Sequence, residues 1–304
     1  MSLTKPLLIS VCIATYRRAG LLGELLESLA QQELDQDYSI ELIVVDNDPD
    51  RSAESVVMNF QLNHQIPIKY SVKTARNLST VRNQSVRLAN GDFVVFIDDD
   101  EVAEPCWLKE LLAVLEKCKA DVVSGPVIPV YSDSIPVWMQ RGGFFERRRL
   151  ITGSEIEFAG TGNVLMRVEK MRELNGPFDP VYGQTGGEDT NFFYRLKKSG
   201  AKIVWANEAV VMEIVPLARA TIRYITRRSY RGGQIYASIM LPDWTIPKKI
   251  TWVLYRLLIV LLACLLMPIS WLAGRIAGMK VLQKFASNLG QLSVLVKHSV
   301  KEYQ

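Results

Sequence analysis

The sequence predicts an α/β protein with a mostly parallel central sheet flanked by helices, followed by a C-terminal helical, membrane-associated region. Three observations support this. Through the first hundred residues, apolar runs of strand length alternate with stretches of helical apolar spacing, a pattern that implies right-handed crossovers between parallel strands. Three of those runs end in polar clusters, Thr15-Tyr16-Arg17, Asp46-Asn47-Asp48 and Asp98-Asp99-Asp100, and ligands of doubly wound sheets bind beyond the carboxyl ends of the strands. The third is a break in composition: residues 252–273 read WVLYRLLIVLLACLLMPISWLA, with Arg256 the one charge.

Taken in order, residues 7–13 form the first predicted strand and 21–31 a helix. Strands at 40–45, 68–72 and 93–97 alternate with helices at 52–60 and 80–89, the second of which Thr80 is placed to cap. A helix at 107–117 and a short strand at 121–124 follow, and 130–149 reads as an irregular basic stretch with aromatic residues. The run Phe158-Ala159-Gly160-Thr161-Gly162-Asn163 precedes a strand at 164–167; a helix at 168–174 stops at Asn175-Gly176-Pro177, and Gly186-Gly187-Glu188-Asp189 opens a helix over 190–199. The chain divides near 216–219, giving a first domain over 1–216 and a helical region over 217–304, with an attachment segment at about 250–274 and an amphipathic tail from 276.

With 48% apolar and 22% charged residues among 304, disorder is not indicated. A net charge of +4 is too small to suggest a nucleic-acid partner, but basic residues crowd 141–149, 219–231 and 248–256, which suits phosphates or an anionic membrane face. The four cysteines, Cys12, Cys106, Cys118 and Cys264, have neither metal-ligand nor disulfide spacing. Residues 1–5 lead directly into a strand, so no signal peptide is expected. The segment at 252–273 matches the ~20 residues that cross a bilayer core, with Trp252, Tyr255 and Trp271 near its ends as interfacial anchors. Pro268 is a potential kink, so the segment is read as either spanning or re-entrant.

The most informative motif is Asp98-Asp99-Asp100-Glu101, four acids delivered at once by an apolar strand. Clustered carboxylates repel and call for a cation; a hard divalent ion such as Mg2+ or Mn2+ takes a few carboxylate oxygens and completes its shell with diphosphate and water. A solvated acidic turn is the plainer alternative. If the chain stays extended, Asp98 and Asp100 share a face and Asp99 points away.

In this order, Cys12-Ile13-Ala14-Thr15-Tyr16-Arg17-Arg18, Val44-Val45-Asp46-Asn47-Asp48, Val81-Arg82-Asn83, Asp98-Asp99-Asp100-Glu101 and Gly186-Gly187-Glu188-Asp189 resemble the inverting nucleotide-sugar glycosyltransferases of family 2, which have the GT-A fold. The resemblance covers residues 9–234. Within the family, Gly187-Glu188-Asp189-Thr190-Asn191-Phe192-Phe193 and Arg228-Ser229-Tyr230-Arg231-Gly232-Gly233-Gln234 look most like the succinoglycan-type exopolysaccharide enzymes of bacteria, which add β-linked glucose to a lipid-linked oligosaccharide. The resemblance implies that Asp46 reads the uracil ring, that Thr15, Tyr16 and Arg17 line base and ribose, and that Arg82, Asp98 and Asp99 lie along the nucleotide. Asp100 and Asp98 are the implied metal ligands, Asp189 the catalytic base with Glu188 beside it, and Arg228 and Arg231 contacts of the donor diphosphate.

Each implied role has a plainer counterpart. Asp46 suits an Asx turn with Asp48-Pro49; Glu188 and Asp189 suit the first turn of any helix; Arg228 and Arg231, three apart, suit lipid headgroups. A histidine ligand is implied where Met212 stands, and thioether is a poor ligand for a hard ion; Glu213 is the nearest substitute. The implied partners are a UDP-sugar, a lipid-linked glycan acceptor, the cytoplasmic face of a bacterial inner membrane, and a second copy or a polysaccharide assembly complex. A polyprenyl-phosphate sugar synthase and a non-catalytic nucleotide-sugar-binding scaffold are the competing functional readings.

Overall fold

In the computed structural model, residues 6–174 and 176–296 are described; the last eight residues of the expected tail, with His298, lie outside them. The chain forms two compact units, one of residues 6–129 and 147–213 and the other of 130–146 and 214–296.

The first unit opens with β1 (Leu7–Thr15), α1 (Ala19–Ala30), β2 (Tyr38–Asp46), α2 (Glu54–Asn63), β3 (Ile68–Val72), α3 (Leu78–Leu88) and β4 (Phe93–Ile97). It continues through β5 (Glu101–Ala103), α4 (Trp107–Cys118), β6 (Val122–Ser124) and β7 (Val127–Val130). After α5 (Val137–Gly142), which belongs to the second unit, come β8 (Asn163–Arg167), α6 (Val168–Arg172), α7 (Glu188–Lys198), β9 (Ile203–Trp205) and β10 (Val211–Ile214). Seven strands make one sheet in the order β3-β2-β1-β4-β8-β6-β9. All its pairings are parallel except those of β8, which runs antiparallel to β4 and β6.

Side chains alternate cleanly across this sheet. Val11, Leu42 and Val95 face one layer with Leu25 of α1 and Trp107 of α4. Cys12, Ile43 and Phe96 face the other, with Val81 of α3 and Phe192 and Phe193 of α7. Strands buried on both faces have to be apolar throughout, which is why their runs were continuous. Burying each Leu or Phe here contributes about 1.5–3 kcal/mol, and Phe192, fully enclosed, is one whose truncation to Ala removes about 3–5 kcal/mol.

Register sets up the site. Thr15 pairs with Asp46 at the ends of β1 and β2, and Cys12 pairs with Phe96, so Thr15 falls level with Asp99 just past β4. Parallel strands thereby deliver three polar ends to one edge. A small sheet, β5-β10-β7, lies beyond that edge.

Local details differ from the sequence reading. Asn77 caps α3, its side chain accepting the Thr80 N–H at 3.2 Å, so the helix starts two residues ahead of Thr80. The stretch at 130–149 holds α5.

The second unit packs Ile135, Met139 and Phe144 with Ile225 and Met279. Its long helices are α8 (Ile222–Met240), α9 (Ile246–Leu272) and α10 (Arg275–Ser293). α10 lies between the other two. Arg256 of α9 donates to Asn288 of α10 at 3.1 Å, and Gly278 meets the Trp271 indole; on its other side, Gly290 meets the Tyr230 carbonyl of α8.

Candidate active site

The acids after β4 do not continue the strand. β4 ends at Ile97, and Glu101 N–H donates to the Asp98 carbonyl at 3.2 Å, closing a turn. The expectation that Asp98 and Asp100 converge with Asp99 turned away is therefore corrected, because two-residue alternation holds only in extended chain. It is Asp99 and Asp100 that converge: one Arg18 nitrogen, Nη1, donates to Asp99 Oδ1 at 2.8 Å and to Asp100 Oδ2 at 2.9 Å. The Thr15 hydroxyl holds the other Asp99 oxygen at 2.8 Å.

Asp98 turns toward Arg82. That guanidinium, buried on α3, donates to Asp98 Oδ1 at 3.2 Å through one nitrogen and to Glu188 Oε1 through another. Arg82 thus joins the acidic turn after β4 to the first turn of α7. The residues that present Glu188 and Asp189 are Gly186 and Gly187, with φ of 80° and 93°. Only glycine holds such angles without strain, so the pair fixes how the chain enters the helix. Asp189 is half-buried; its Oδ1 accepts the Thr190 N–H at 2.6 Å.

A glycine-bearing segment runs between the two acid groups. A Cβ at Gly160 would stand 3.6 Å from Asp189 Oδ2, and one at Gly162 would stand 3.4 Å from Asp98 Oδ2 and 2.5 Å from Glu101 Oε1. Absent side chains leave this path clear for both carboxylates. Asn163, next in the chain, is pinned: its side chain accepts from Trp107 Nε1 at 2.8 Å and donates to the carbonyls of Pro126 at 2.9 Å and Ala209 at 2.7 Å.

Electrostatics follow from the burial. Burial pushes Asp99 up to about 6; Arg18 and Thr15 oppose that, while Asp100 and Asp98 reinforce it. Burial works against the charge of Arg18, yet Asp99 and Asp100 outweigh it and raise its pKa. Glu101 is raised well above the ordinary glutamate value, first by burial and then by the neighbouring Asp98 charge.

At the ends of β1 and β2 the arrangement differs. Asp46 is fully buried, its Oδ1 taking the Asp48 N–H at 2.8 Å and its Oδ2 the Ala53 N–H and the Tyr70 hydroxyl, each at 2.9 Å. These oxygens point inward and close the loop after β2, the Asx arrangement weighed as the alternative to a uracil contact. Arg17, with φ of 53°, reaches Asp48 at 3.1 Å and Asp50 at 2.9 Å, and its guanidinium lies 5.3 Å from the exposed Tyr16 ring.

Met212 stands opposite Val102 in the β10–β5 pair, and Glu213 opposite Glu101. Glu213 is engaged by Arg147 at 3.5 Å. Among the described residues, no three His, Cys, Asp or Glu side chains form a ligand cage. Carboxylate oxygens are the donors a hard divalent ion takes, with nucleotide and water completing its shell; in this structure Asp100 is paired with Arg18 and Asp98 with Arg82. Arg228 and Arg231 stand on α8 of the second unit, and the constellation above is built from the first unit alone.

Sequence reasoning missed Arg18 as the counter-charge, Asn163 as an anchor and the clear path at Gly160 and Gly162. The tandem arginine after β1 and the Gly-Thr-Gly-Asn run were their signals.

Residues 10–174 match the model of glycosyl transferase family 2, and residues 93–295 that of glycosyl transferase family group 2. The chain is 34% identical over 232 residues to succinoglycan biosynthesis protein ExoM of Rhizobium meliloti (strain 1021), covering 76% of this chain and 75% of that one. It is 25% identical over 226 residues to chondroitin synthase of Escherichia coli, covering 63% of this chain and 32% of the synthase. Among solved structures, S. aureus TarS 1-349 in complex with UDP is similar with a TM-score of 0.54 and 18% identity, over 97% of this chain and 96% of that one. The mannosyltransferase PcManGT from Pyrobaculum calidifontis, in complex with GDP-Man and Mn2+, is similar with a TM-score of 0.60 and 16% identity, over 98% of this chain and 77% of that one.

Proposed function

The chain belongs to glycosyl transferase family 2, and from that premise we propose that it transfers a sugar, glucose in our reading, from a UDP-sugar to a hydroxyl of a polyprenyl-diphosphate-linked oligosaccharide, with inversion, during assembly of a bacterial surface polysaccharide. The relative named for succinoglycan biosynthesis supports the pathway class, and the neighbours in complex with UDP and with GDP-Man support a nucleotide-sugar donor. The exposed apolar helix α9 supports a membrane seat, at the cytoplasmic leaflet where nucleotide sugars are made.

One observation carries this reading: Arg82 ties Asp98 and Glu188 to a single guanidinium. On this reading the donor-side acids and the first turn of α7, which carries the candidate base Asp189 next to Glu188, are two sides of one site in the first unit. In our mechanism Asp189 accepts the proton of the acceptor hydroxyl as that oxygen attacks the anomeric carbon. Glu188, fixed by Arg82, sets the entry of α7 and hence the place of Asp189. Thr15, Tyr16 and Arg17 flank base and ribose over a loop that Asp46 holds closed. Asp98 and Asp100 would hold Mn2+ or Mg2+ together with the diphosphate, and the cation when bound neutralises charge developing on the departing UDP.

The test is a screen of nucleotide sugars for UDP release, with Mn2+ or Mg2+, and with bacterial lipid extract as acceptor. UDP-glucose with lipid extract is expected to give release well above either alone. No turnover with any donor would remove the enzyme reading, and an Asp189→Asn variant of undiminished turnover would point to a phosphate acceptor in place of a hydroxyl.

A further inference from the structure

The helix α9 has its polarity reversed. On a helix that packs onto a water-soluble protein, apolar residues face the neighbour and charges face out. Here the inward seam holds the charge: beside the buried Trp252 and Ala263, Arg256, the one charge between Lys249 and Arg275, turns in to bond Asn288 at 3.1 Å. Facing out are Leu254, Leu258, Leu261, Leu265, Ile269 and Leu272, spaced three or four apart, with Leu265 64% and Leu272 90% exposed. Water cannot stabilise such an arc at this length, whereas acyl chains can.

By length, α9 could cross a bilayer. Its partners argue otherwise. α10 runs back along it, from Gly278 beside Trp271 to Asn288 beside Arg256, and presents Lys280 and Lys284 outward along that stretch. Beyond α10 lies α8, held by Gly290 against Tyr230 and Gly233 against Ser287, with Arg223, Arg227 and Arg228 exposed. A spanning α9 would pull the α10 lysines, and the arginines of the helix behind them, into hydrocarbon, where charged side chains are strongly disfavoured. Lying flat, α9 buries only its leucine arc. Lys248 and Lys249 at its start and Arg275 after its end then both sit at headgroup depth, complementary to anionic lipid.

We propose that α9 is a monotopic, in-plane membrane helix, its leucine arc sunk into one leaflet of an anionic bilayer and both of its ends on the same side. The proposal rests on the membrane seat of the preceding reading and adds its topology.

Cysteine mapping of the full chain separates the two. In a Cys106→Ser/Cys118→Ser background, Cys264, exposed on α9, is labelled with an environment-sensitive fluorophore on vesicles of phosphatidylglycerol and phosphatidylethanolamine. Quenching by spin labels placed high on the acyl chain, and not by labels near its end, is expected. Thr245→Cys and Ala273→Cys, at the two flanks of α9, are then probed in inside-out membrane vesicles with a membrane-impermeant maleimide, and both are expected to label. Labelling of one flank only from the opposite side overturns the proposal while leaving membrane attachment intact. A protein that neither floats with the vesicles nor quenches overturns both. As a control on folding, Leu258→Gln/Leu261→Gln/Leu265→Gln is expected to lower vesicle binding at least tenfold with unchanged helical circular dichroism; unchanged binding would also overturn the proposal.

Discussion

Arg82 and Arg17 each hold two acids near the ends of parallel strands, yet the pairs are not equivalent. The Arg82 side chain is 8% exposed, with Glu188 at 4% and Asp98 at 40%, whereas Arg17 is 55% exposed, with Asp48 at 2% and Asp50 at 77%; the contrast lies in the arginines themselves. Buried charges have surrendered their water, so removing one partner strands the other. An exposed pair returns to water at little loss. Identical chemistry thus serves in one place to fix the approach of α7 and in the other to dress the rim near Tyr16.

The largest effect is expected where the buried pair meets the chemistry. Asp189→Asn should lower kcat roughly 10²–10⁴-fold, with UDP binding by calorimetry unchanged; a loss of UDP affinity instead would move Asp189 to the donor side. Next, Arg82→Ala should remove about 3–5 kcal/mol of stability in urea unfolding by leaving Glu188 buried without its guanidinium. Adding Glu188→Gln should restore part of it, and if the double variant is no more stable than the single one, burial is not what distinguishes the two arginines.

A smaller effect is expected from pH. Asp99, raised to about 6 in the folded protein, binds its proton more tightly there than in the unfolded chain. Its contribution is therefore favourable below the unfolded carboxylate range near pH 4 and is lost as pH climbs to about 6, so stability falls across that window. Unfolding free energies from urea titrations should decline there by about 1–3 kcal/mol more in the native sequence than in Asp99→Asn; parallel profiles would show that Arg18 offsets the burial completely. The smallest effect belongs to Arg17→Ala, whose melting temperature should fall only slightly, because the buried Asp48 keeps the Asp50 N–H as a donor, while UDP affinity weakens severalfold. A clear drop in melting temperature would erase the contrast with Arg82.

The same contrast governs how much was legible in the sequence. β1, β2 and β4, buried on both faces, announced themselves as unbroken apolar runs, and the polar residues just past them were found where parallel strands end. β5, β7 and β10 are three or four residues long, too short for periodicity to register, and β10 pairs with β5 from more than a hundred residues away. Side-chain direction was the harder loss. Nothing in Asp46-Asn47-Asp48 tells that the Asp46 oxygens point inward to Ala53 and Tyr70, and nothing in Asp98-Asp99-Asp100 tells that a turn replaces extended chain. Family likeness located Arg82, Glu188 and Asp189, but the guanidinium that spans Asp98 and Glu188 is a fact of three dimensions, joining residues 106 apart.

Asn163 sets a boundary for motion. With its amide satisfied by Trp107, Pro126 and Ala209, it is the fixed end of the stretch 158–162, in which Thr161 is buried and Phe158 stacks on Tyr194. Deuterium uptake should therefore be slowest from Asn163 onward, where β8 begins and the backbone joins the sheet.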